Sequence, residues 1–341
     1  MIVSKFNKVI YKTNFIKNPI KSKQPFSVIF LYHTIEESPS PWTFGHRYPT
    51  PYNVFKKQIN YINKNFKVLA TSELIERMEK GDLNENIAAI HFDDGFKSYL
   101  KLAVPFFNRY NISSSNFFIN DVLEGDIPIR NKIAYCMNTG AKNAIINRTY
   151  EYFKDRSNND VDIEKMGVSK FLSWIKNILD DDLENLLENV YRSHVKKMKI
   201  RSPFINIEES KILIKNPLVE FGSHTISHDM LSNLNEMEQR MEILDGHMKL
   251  EKIIGEDLNL FAYPFGGNNH FDDTSKKIVY NSEKLYAFST YGGINYTLDK
   301  TDIKRITLTD HTPIKIKILL NNAIRRTSEN IGIDNQLKAF L

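Results

Sequence analysis

IAAIHFDDG, residues Ile87 to Gly95, is the stretch from which the rest of this chain can be read. Six mostly apolar residues end abruptly at two carboxylates and a glycine, the pattern of a buried parallel strand with Asp93 and Asp94 at its carboxyl end. Open α/β sheets and barrels place their chemistry at that end of the strands. Two adjacent buried carboxylates are costly unless a cation or hydrogen-bond donors compensate them, so the pair calls for a metal ion or a basic partner. A solvated Asp-Gly turn would give the same letters, so the surrounding chain has to decide.

On both sides of this stretch, strand and helix alternate. SVIFLYH, Ser27 to His33, reads as a first buried strand ending in a histidine. A proline-broken loop follows, with Trp42, His46 and Arg47. Phe55, Ile59 and Ile62 then fall at helical spacing, and Phe66 to Ala70 forms a short strand. Thr71 or Ser72 is placed to cap the next helix. Beyond the central motif, Tyr99 to Tyr110 reads as helix and Ser113 to Asn120 as strand.

From about Asp126 to Phe204 the alternation stops, and the stripes Phe171, Trp174, Ile175, Ile178 and Leu179, Leu183, Leu186, Leu187, Val190 predict packed helices around a loop at Ser157 to Asp160. The alternation resumes with the strand Val219–Ser223, a long helix from about Met230 to Ile254, the strand Leu258–Tyr263 and strands near Tyr286 and Ile303. The fold class is therefore α/β with a parallel sheet and a helical insertion. The expected divisions are a basic leader over 1–24, a first barrel part over 25–125, the insertion over 126–205, a second barrel part over 206–312 and a helical tail over 313–341.

Composition narrows the function. With 341 residues, 41% of them hydrophobic, the chain can bury a large core, and its net charge of +5 is too mild and too mixed to indicate nucleic acid. No run approaches the roughly eighteen apolar residues of a membrane span. The start lacks the pattern of a secretory signal, and one cysteine, Cys136, leaves no internal disulfide framework, so a cytoplasmic location is expected. Met1 to Gln24 carries six lysines and no acid, which would suit peripheral contact with the inner face of an anionic membrane as well as a solvated leader.

His224 and His228, in SHTISH, lie four residues apart at a strand end, a spacing that lets both imidazoles reach one ion if the segment turns into a helix. Two histidines and a carboxylate leave positions open on a divalent ion, which can then lower the pKa of water and polarise a carbonyl. A Tyr-Pro-Phe-Gly strand end at Tyr263 to Gly266 completes the constellation.

HFDDG, SHTISH and FAYPFGG, in that order, resemble the first three motifs of the polysaccharide deacetylases, the carbohydrate esterases of family 4 with a NodB-homology domain. The LYHTI stretch followed by the Tyr52–Glu76 region is similar to the entry of members whose barrel starts at a different strand. The resemblance implies a distorted (β/α) barrel and metal-dependent removal of an N- or O-acetyl group from a sugar in a glycan or glycan precursor. Carried across by motif position, it makes Asp93 the general base. Asp94, His224 and His228 become ligands of a divalent metal, Zn2+ by default. Phe265 would offer a backbone N–H to the oxyanion beside Tyr263 and Pro264.

The chain departs from the family pattern twice. Where members have an arginine two residues before the motif proline, this chain has Ala262, and Arg305 is the candidate to orient the base in its place. The Leu-x-Ile-His motif that carries the general acid is absent. His33 matches the position used by members with a rearranged strand order, with His311 as a second candidate. His46 and His270 read as loop residues within reach of a sugar, and Cys136, His194 and His247 as structural. Two other readings use the same residues: a hydrolase of another amide, formyl or cyclic, and a catalytically silent glycan-binding protein.

Overall fold

Eight strands of this chain close into a parallel barrel. The structure, a computed structural model, describes residues 20, 22–46, 49–154, 163, 165–196 and 198–338, with backbone alone for 328–338. Most of the basic leader, Arg47, the Ser157–Asp160 loop and the last three residues lie outside the described set.

The strands are β1 (Ser27–Tyr32), β2 (Ile35–Glu36), β3 (Thr50–Pro51), β4 (Lys67–Val68), β5 (Ile87–Phe92), β6 (Ser114–Phe118), β7 (Val219–Ser223), β8 (Leu260–Ala262), β9 (Tyr286–Ser289) and β10 (Ile303–Thr307). β2 and β3 pair only with each other; the rest run β1-β10-β9-β8-β7-β6-β5-β4, all parallel, and β1 also pairs with β5 to close the ring. β1 occupies one edge of β5 along its whole length, Ser27 opposite Ile87 through Tyr32 opposite Phe92. The other edge is shared: β4 takes Ile87 and Ala88, and β6 takes His91 and Phe92. A two-residue strand wedged below its neighbour is what distorts the barrel.

Both faces of these strands are apolar because both are covered, as parallel sheets require. Val28, Phe30, Tyr32, Ala88, Ile90 and Phe92 face outward into a cluster shared with Phe55, Ile59 and Ile62 of the helix Tyr52–Asn65. Ile29, Ala89, Phe117, Leu260, Ala262, Phe288 and Ile303 fill the interior. Alternation with period two thus sends Asp93, like Ala89 and His91, toward the barrel axis.

The helices Ile129–Asn138, Lys142–Lys154, Val168–Ile175 and Asp181–Val195 gather around a separate apolar cluster that also takes in Trp42, Phe96 and Phe204. Of the two stripes, Phe171, Ile175, Leu183 and Leu187 are buried, whereas Leu186 is exposed. Trp42 lies against Tyr135, ring centroids 4.1 Å apart, which ties the proline-rich loop to these helices.

Local readings are corrected in three places. The helix from Met230 to Ile254 is broken into a short 3-10 turn, a helix over Glu236–Arg240, a π-turn over Met241–Asp245 and a helix over Gly246–Ile254. Tyr99–Ala103 likewise opens as a π-turn before the helix Val104–Tyr110. Neither Thr71 nor Ser72 caps its helix by side chain: the carboxylate of Glu220, on β7, accepts from both backbone N–H groups, at 2.6 and 3.1 Å. A half-buried acid from another strand satisfies the free end that a local hydroxyl would otherwise take.

Candidate metal and active site

The central motif turns sharply after β5. Asp94 and Gly95 both adopt left-handed backbone, φ 70° and 71°. Glycine is required at the second position because a Cβ there would stand 2.7 Å from the Phe118 ring. The turn sends the two carboxylates different ways. Asp93 is buried in the barrel mouth, its N–H bonded to the Tyr32 carbonyl at 3.0 Å, while Asp94 faces β7.

Asp93 is compensated chiefly by one group, with His224 Nε2 farther off at 3.9 Å from Oδ2. Arg305 rises from β10 with no solvent exposure and grips both carboxylate oxygens, Nη1 to Oδ1 and Nη2 to Oδ2, each at 2.8 Å. Its Nε donates to the Ser289 carbonyl at 3.1 Å, and its guanidinium lies over the rings of Phe117 and Phe288, 5.4 and 6.0 Å from their centroids. Planar, forked and sandwiched by rings, an arginine suits this place where a lysine would not.

His224 follows β7 directly. Its Nδ1 donates to the Ala262 carbonyl at 2.7 Å, since a carbonyl only accepts, and Nε2 is therefore the atom turned toward Asp94, 3.5 Å from Oδ1. His228 Nε2 stands 3.6 Å from the same Oδ1. The ligand atoms of Asp94, His224 and His228 lie within 4.8 Å of one another.

These histidines converge without the helix their spacing suggested. Thr225 and His228 are left-handed instead, φ 67° and 71°, and the Thr225 hydroxyl accepts from the His228 N–H at 3.0 Å. Glu242, in the π-turn, holds this tight loop from outside: Oε2 accepts from the N–H groups of Ile226 and Ser227 at 2.9 and 3.1 Å, and Oε1 from the Ser227 hydroxyl at 3.1 Å. Phe265 is left-handed as well, φ 59°. Each such residue costs of order 1–3 kcal/mol, and strain gathered at one point of a fold is characteristic of functional sites.

The donor set fits a divalent cation. Asp94 Oδ1 is buried with no hydrogen-bond partner, although two imidazole nitrogens surround it. Burial alone would push the Asp94 carboxyl up, yet the imidazoles of His224, His33 and His228 around it hold it below the ordinary carboxylate range. Burial first, then the charge of His224, keeps His228 neutral, its pKa lowered to about 3. Burial also works against a charged His224, but Asp93 and Asp94 outweigh it and raise its pKa. One carboxylate, a neutral imidazole and a second imidazole with a fixed tautomer make a ligand set suited to zinc and to related ions.

A cleft of about 400 Å3 opens over this cluster. Asp93, Asp94, His224, His228, Phe265 and His33 all line it. His33 follows β1 and stands beside Asp93, because Tyr32 and Phe92 are paired in register. His311 does not line the cleft: its Nδ1 accepts from the Thr309 N–H at 3.0 Å. Tyr263 is a correction. Its ring stacks on Phe271 at 3.9 Å in an apolar cluster and its hydroxyl donates to the Thr301 carbonyl at 2.8 Å, so it supports the loop from behind and does not line the cleft. Pro264 is buried, and its carbonyl accepts from the Gly266 N–H in the tight turn that lifts Phe265 into the cleft.

Sequence reasoning missed the contribution of the inserted helices. Arg130, Leu172, Ser173 and Lys176 line the same cleft, joined by Gly45, His46 and His270 from loops. The position of Gly45 is tight, since a Cβ would fall 2.8 Å from Val168. No periodicity could have found the four helical residues, because they meet the barrel only through the docking of separate helices, whereas His46 and His270 read from the sequence as within reach of a sugar. His194, His247 and Cys136 have structural surroundings. His194 bonds to the Thr139 hydroxyl at 2.8 Å and His247 to the Leu258 carbonyl at 3.0 Å; the Cys136 thiol is pushed up to about 12 by burial.

Residues 194–282 match a protein family described as polysaccharide deacetylase. No curated protein sequence matches the chain. Among solved structures, the Streptococcus pyogenes deacetylase PplD, in complex with acetate, superposes with a TM-score of 0.58 at 15% identity, covering 87% of this chain and 99% of that one. A de-N-acetylase from Aggregatibacter actinomycetemcomitans gives 0.54 at 14% identity, over 86% and 99%. IcaB from Ammonifex degensii gives 0.54 at 15%, over 87% and 97%. At such identities the likeness establishes the fold, and the family match covers the strand and loop that carry both histidines.

Proposed function

We infer that this chain, with its polysaccharide deacetylase segment at residues 194–282 and its deacetylase-type barrel, is a metal-dependent hydrolase that removes an acetyl group from a sugar of a glycan or glycan precursor. The observation that carries this is the buried Asp94, His224 and His228 cluster, with its unpartnered carboxylate oxygen, set beside the Asp93–Arg305 pair in one cleft.

Asp94, His224 and His228 would hold the ion, which supplies Lewis acidity and acidifies water. Zn2+ is the proposed ion, on the strength of the two imidazoles. Asp93, held in place through both oxygens by Arg305, takes the proton of the attacking water as general base. The left-handed turn at Phe265 brings its backbone to the cleft, and we assign its N–H to the developing oxyanion. His33, across from Asp93 in the strand register, gives a proton to the leaving amine as general acid. We propose that the six lysines of Met1–Gln24 bring the reaction to the inner face of a membrane; vesicle binding that survives deletion of that segment would remove the support for this role.

The deciding experiment measures acetate released from acetylated sugars and glycan precursors by zinc-loaded protein, beside Asp93→Asn and His224→Ala, together with bound metal per chain. The expected result is about one ion per wild-type chain, loss of that ion in His224→Ala, and turnover by the wild type with a fall of roughly 10²–10⁴ in Asp93→Asn. Metal binding without acetate release from any glycan would sink the deacetylase assignment and favour another amide. A wild type with no bound metal would favour a silent glycan-binding protein.

A further inference from the structure

Arg130 is the anomaly in the cleft. It lies in the first turn of the helix Ile129–Asn138, which has no acidic residue there, so its charge sits at the positive end of the helix dipole. Its Nε is buried without a hydrogen-bond partner. Among the described residues no carboxylate lies within ion-pair distance of its guanidinium, although its neighbour Lys132 has two, Asp126 and Glu188, each at 2.9 Å. The guanidinium faces the Phe265 ring, 5.6 Å from its centroid. Lys176, by contrast, lies at the C-terminal end of its helix, where a cation is favoured, and lines the same cleft.

The carboxylates of the cleft do not balance the charge of Arg130. Asp93 is matched by Arg305, and Asp94 belongs to the proposed ion site. A guanidinium held against its helix dipole, with no acid to pair and a buried donor unused, is destabilising for the fold. It has a use if an anion arrives from outside.

We propose that Arg130, with Lys176, is the recognition site for an oxyanion substituent, phosphate or carboxylate, carried by the acetylated sugar. This rests on the deacetylase reading and adds to it the class of substrate: an anionic saccharide, placed with its charge toward the inserted helices and its acetyl group toward Asp94. The planar fork of arginine meets two oxygens of either group at once. The inserted helices thereby set specificity for a barrel whose chemistry lies elsewhere.

The test uses N-acetylglucosamine, its 6-phosphate and 1-phosphate, and the corresponding uronic acid as probes. Binding is measured by calorimetry, and acetate release in parallel, for wild type, Arg130→Gln, Arg130→Lys and Lys176→Gln. Thermal unfolding shows that each variant is folded. The wild type is expected to prefer at least one charged probe over the neutral sugar by roughly 10–100-fold, the range of a charge-assisted hydrogen bond. Arg130→Gln should bring the ratio near unity, Arg130→Lys should retain part of it, and Lys176→Gln should lower it less. Whether phosphate or carboxylate is preferred identifies the group. Equal affinity for charged and neutral probes in the wild type overturns the proposal, as does a variant that weakens all probes alike. A charged-probe preference in binding with no acetate released from any probe leaves the anion site standing and removes the deacetylase reading; acetate release without preference does the reverse.

Discussion

Arg305 holds both oxygens of Asp93 in a fully buried, two-pronged ion pair, although 212 residues separate them in the chain. The strands they belong to, β5 and β10, are not neighbours; β1 lies between them, paired to both. The pair therefore spans the barrel mouth, and it fixes a buried carboxylate by both of its oxygens.

Removing one partner should cost more than removing both. Arg305→Gln leaves Asp93 buried without a counter-charge, an expected loss of about 3–5 kcal/mol of stability. Asp93→Asn leaves the guanidinium in the same position. The double variant should be closer to wild type than the sum of the singles, which urea denaturation of all four proteins would measure as a coupling energy. Arg305→Lys keeps the charge and loses the fork, so it should fold while its kcat falls more than its KM changes. Additive stabilities in the cycle would show that the pair contributes little to the fold.

Glu242 should matter to the metal although it is not one of the proposed ligands. Its carboxylate ties three donors of the loop that carries His228, at 2.9 to 3.1 Å. Glu242→Gln replaces one accepting oxygen with an amide that cannot accept, and His228 then loses its fixed approach. Metal affinity, read by competition with a chromogenic chelator, should weaken roughly 10–100-fold, the usual effect of disturbing groups behind the ligands. His228→Ala should weaken it further. An unchanged affinity in Glu242→Gln would mean that the loop holds its shape without this acid.

The strand ends were legible because their chemistry is local: an apolar run followed by Asp93-Asp94, or by His224, states where the strand stops and what it presents. The pairing of Asp94 with both histidines follows from strand order. How the histidines converge was not legible, since spacing of four suggests a helix, while two left-handed residues, Thr225 and His228, do the same work in less chain. Tyr263 was misread for a related reason: β8 is three residues long, too short for its alternation to show which side chain turns inward. Arg130 and Lys176 were invisible because nothing in their own helices refers to the barrel. Their place depends on packing between Trp42, Tyr135 and the rest of the inserted cluster, a long-range event that no local pattern encodes.

Acid should unfold this protein in a way that depends on His91. This imidazole is fully buried in the barrel between Phe117 and Phe288, with Nε2 2.9 Å from the Thr71 hydroxyl. Burial, and then the charge of Arg305, holds its pKa well below the ordinary histidine value. In the unfolded chain the same group titrates near 6.5. Above that pH neither state carries the proton and His91 contributes no pH dependence. Below it the unfolded state takes up a proton that the folded state refuses, so stability is lost as pH falls, by about 1.4 kcal/mol per pH unit for each such group. Burial lowers His46 in the same direction, to about 3, so the wild-type slope contains more than one proton. Urea denaturation between pH 7.5 and 5, with chelator present throughout so that metal release does not contribute, should therefore show a steadily falling free energy of unfolding in the wild type. His91→Gln should start lower at pH 7.5, because the packing between the two phenylalanine rings is disturbed, and then fall less steeply by the equivalent of one proton. Parallel curves for the two proteins would show that His91 shares its protonation state between the folded and unfolded chains, and that the acid sensitivity of the barrel arises elsewhere.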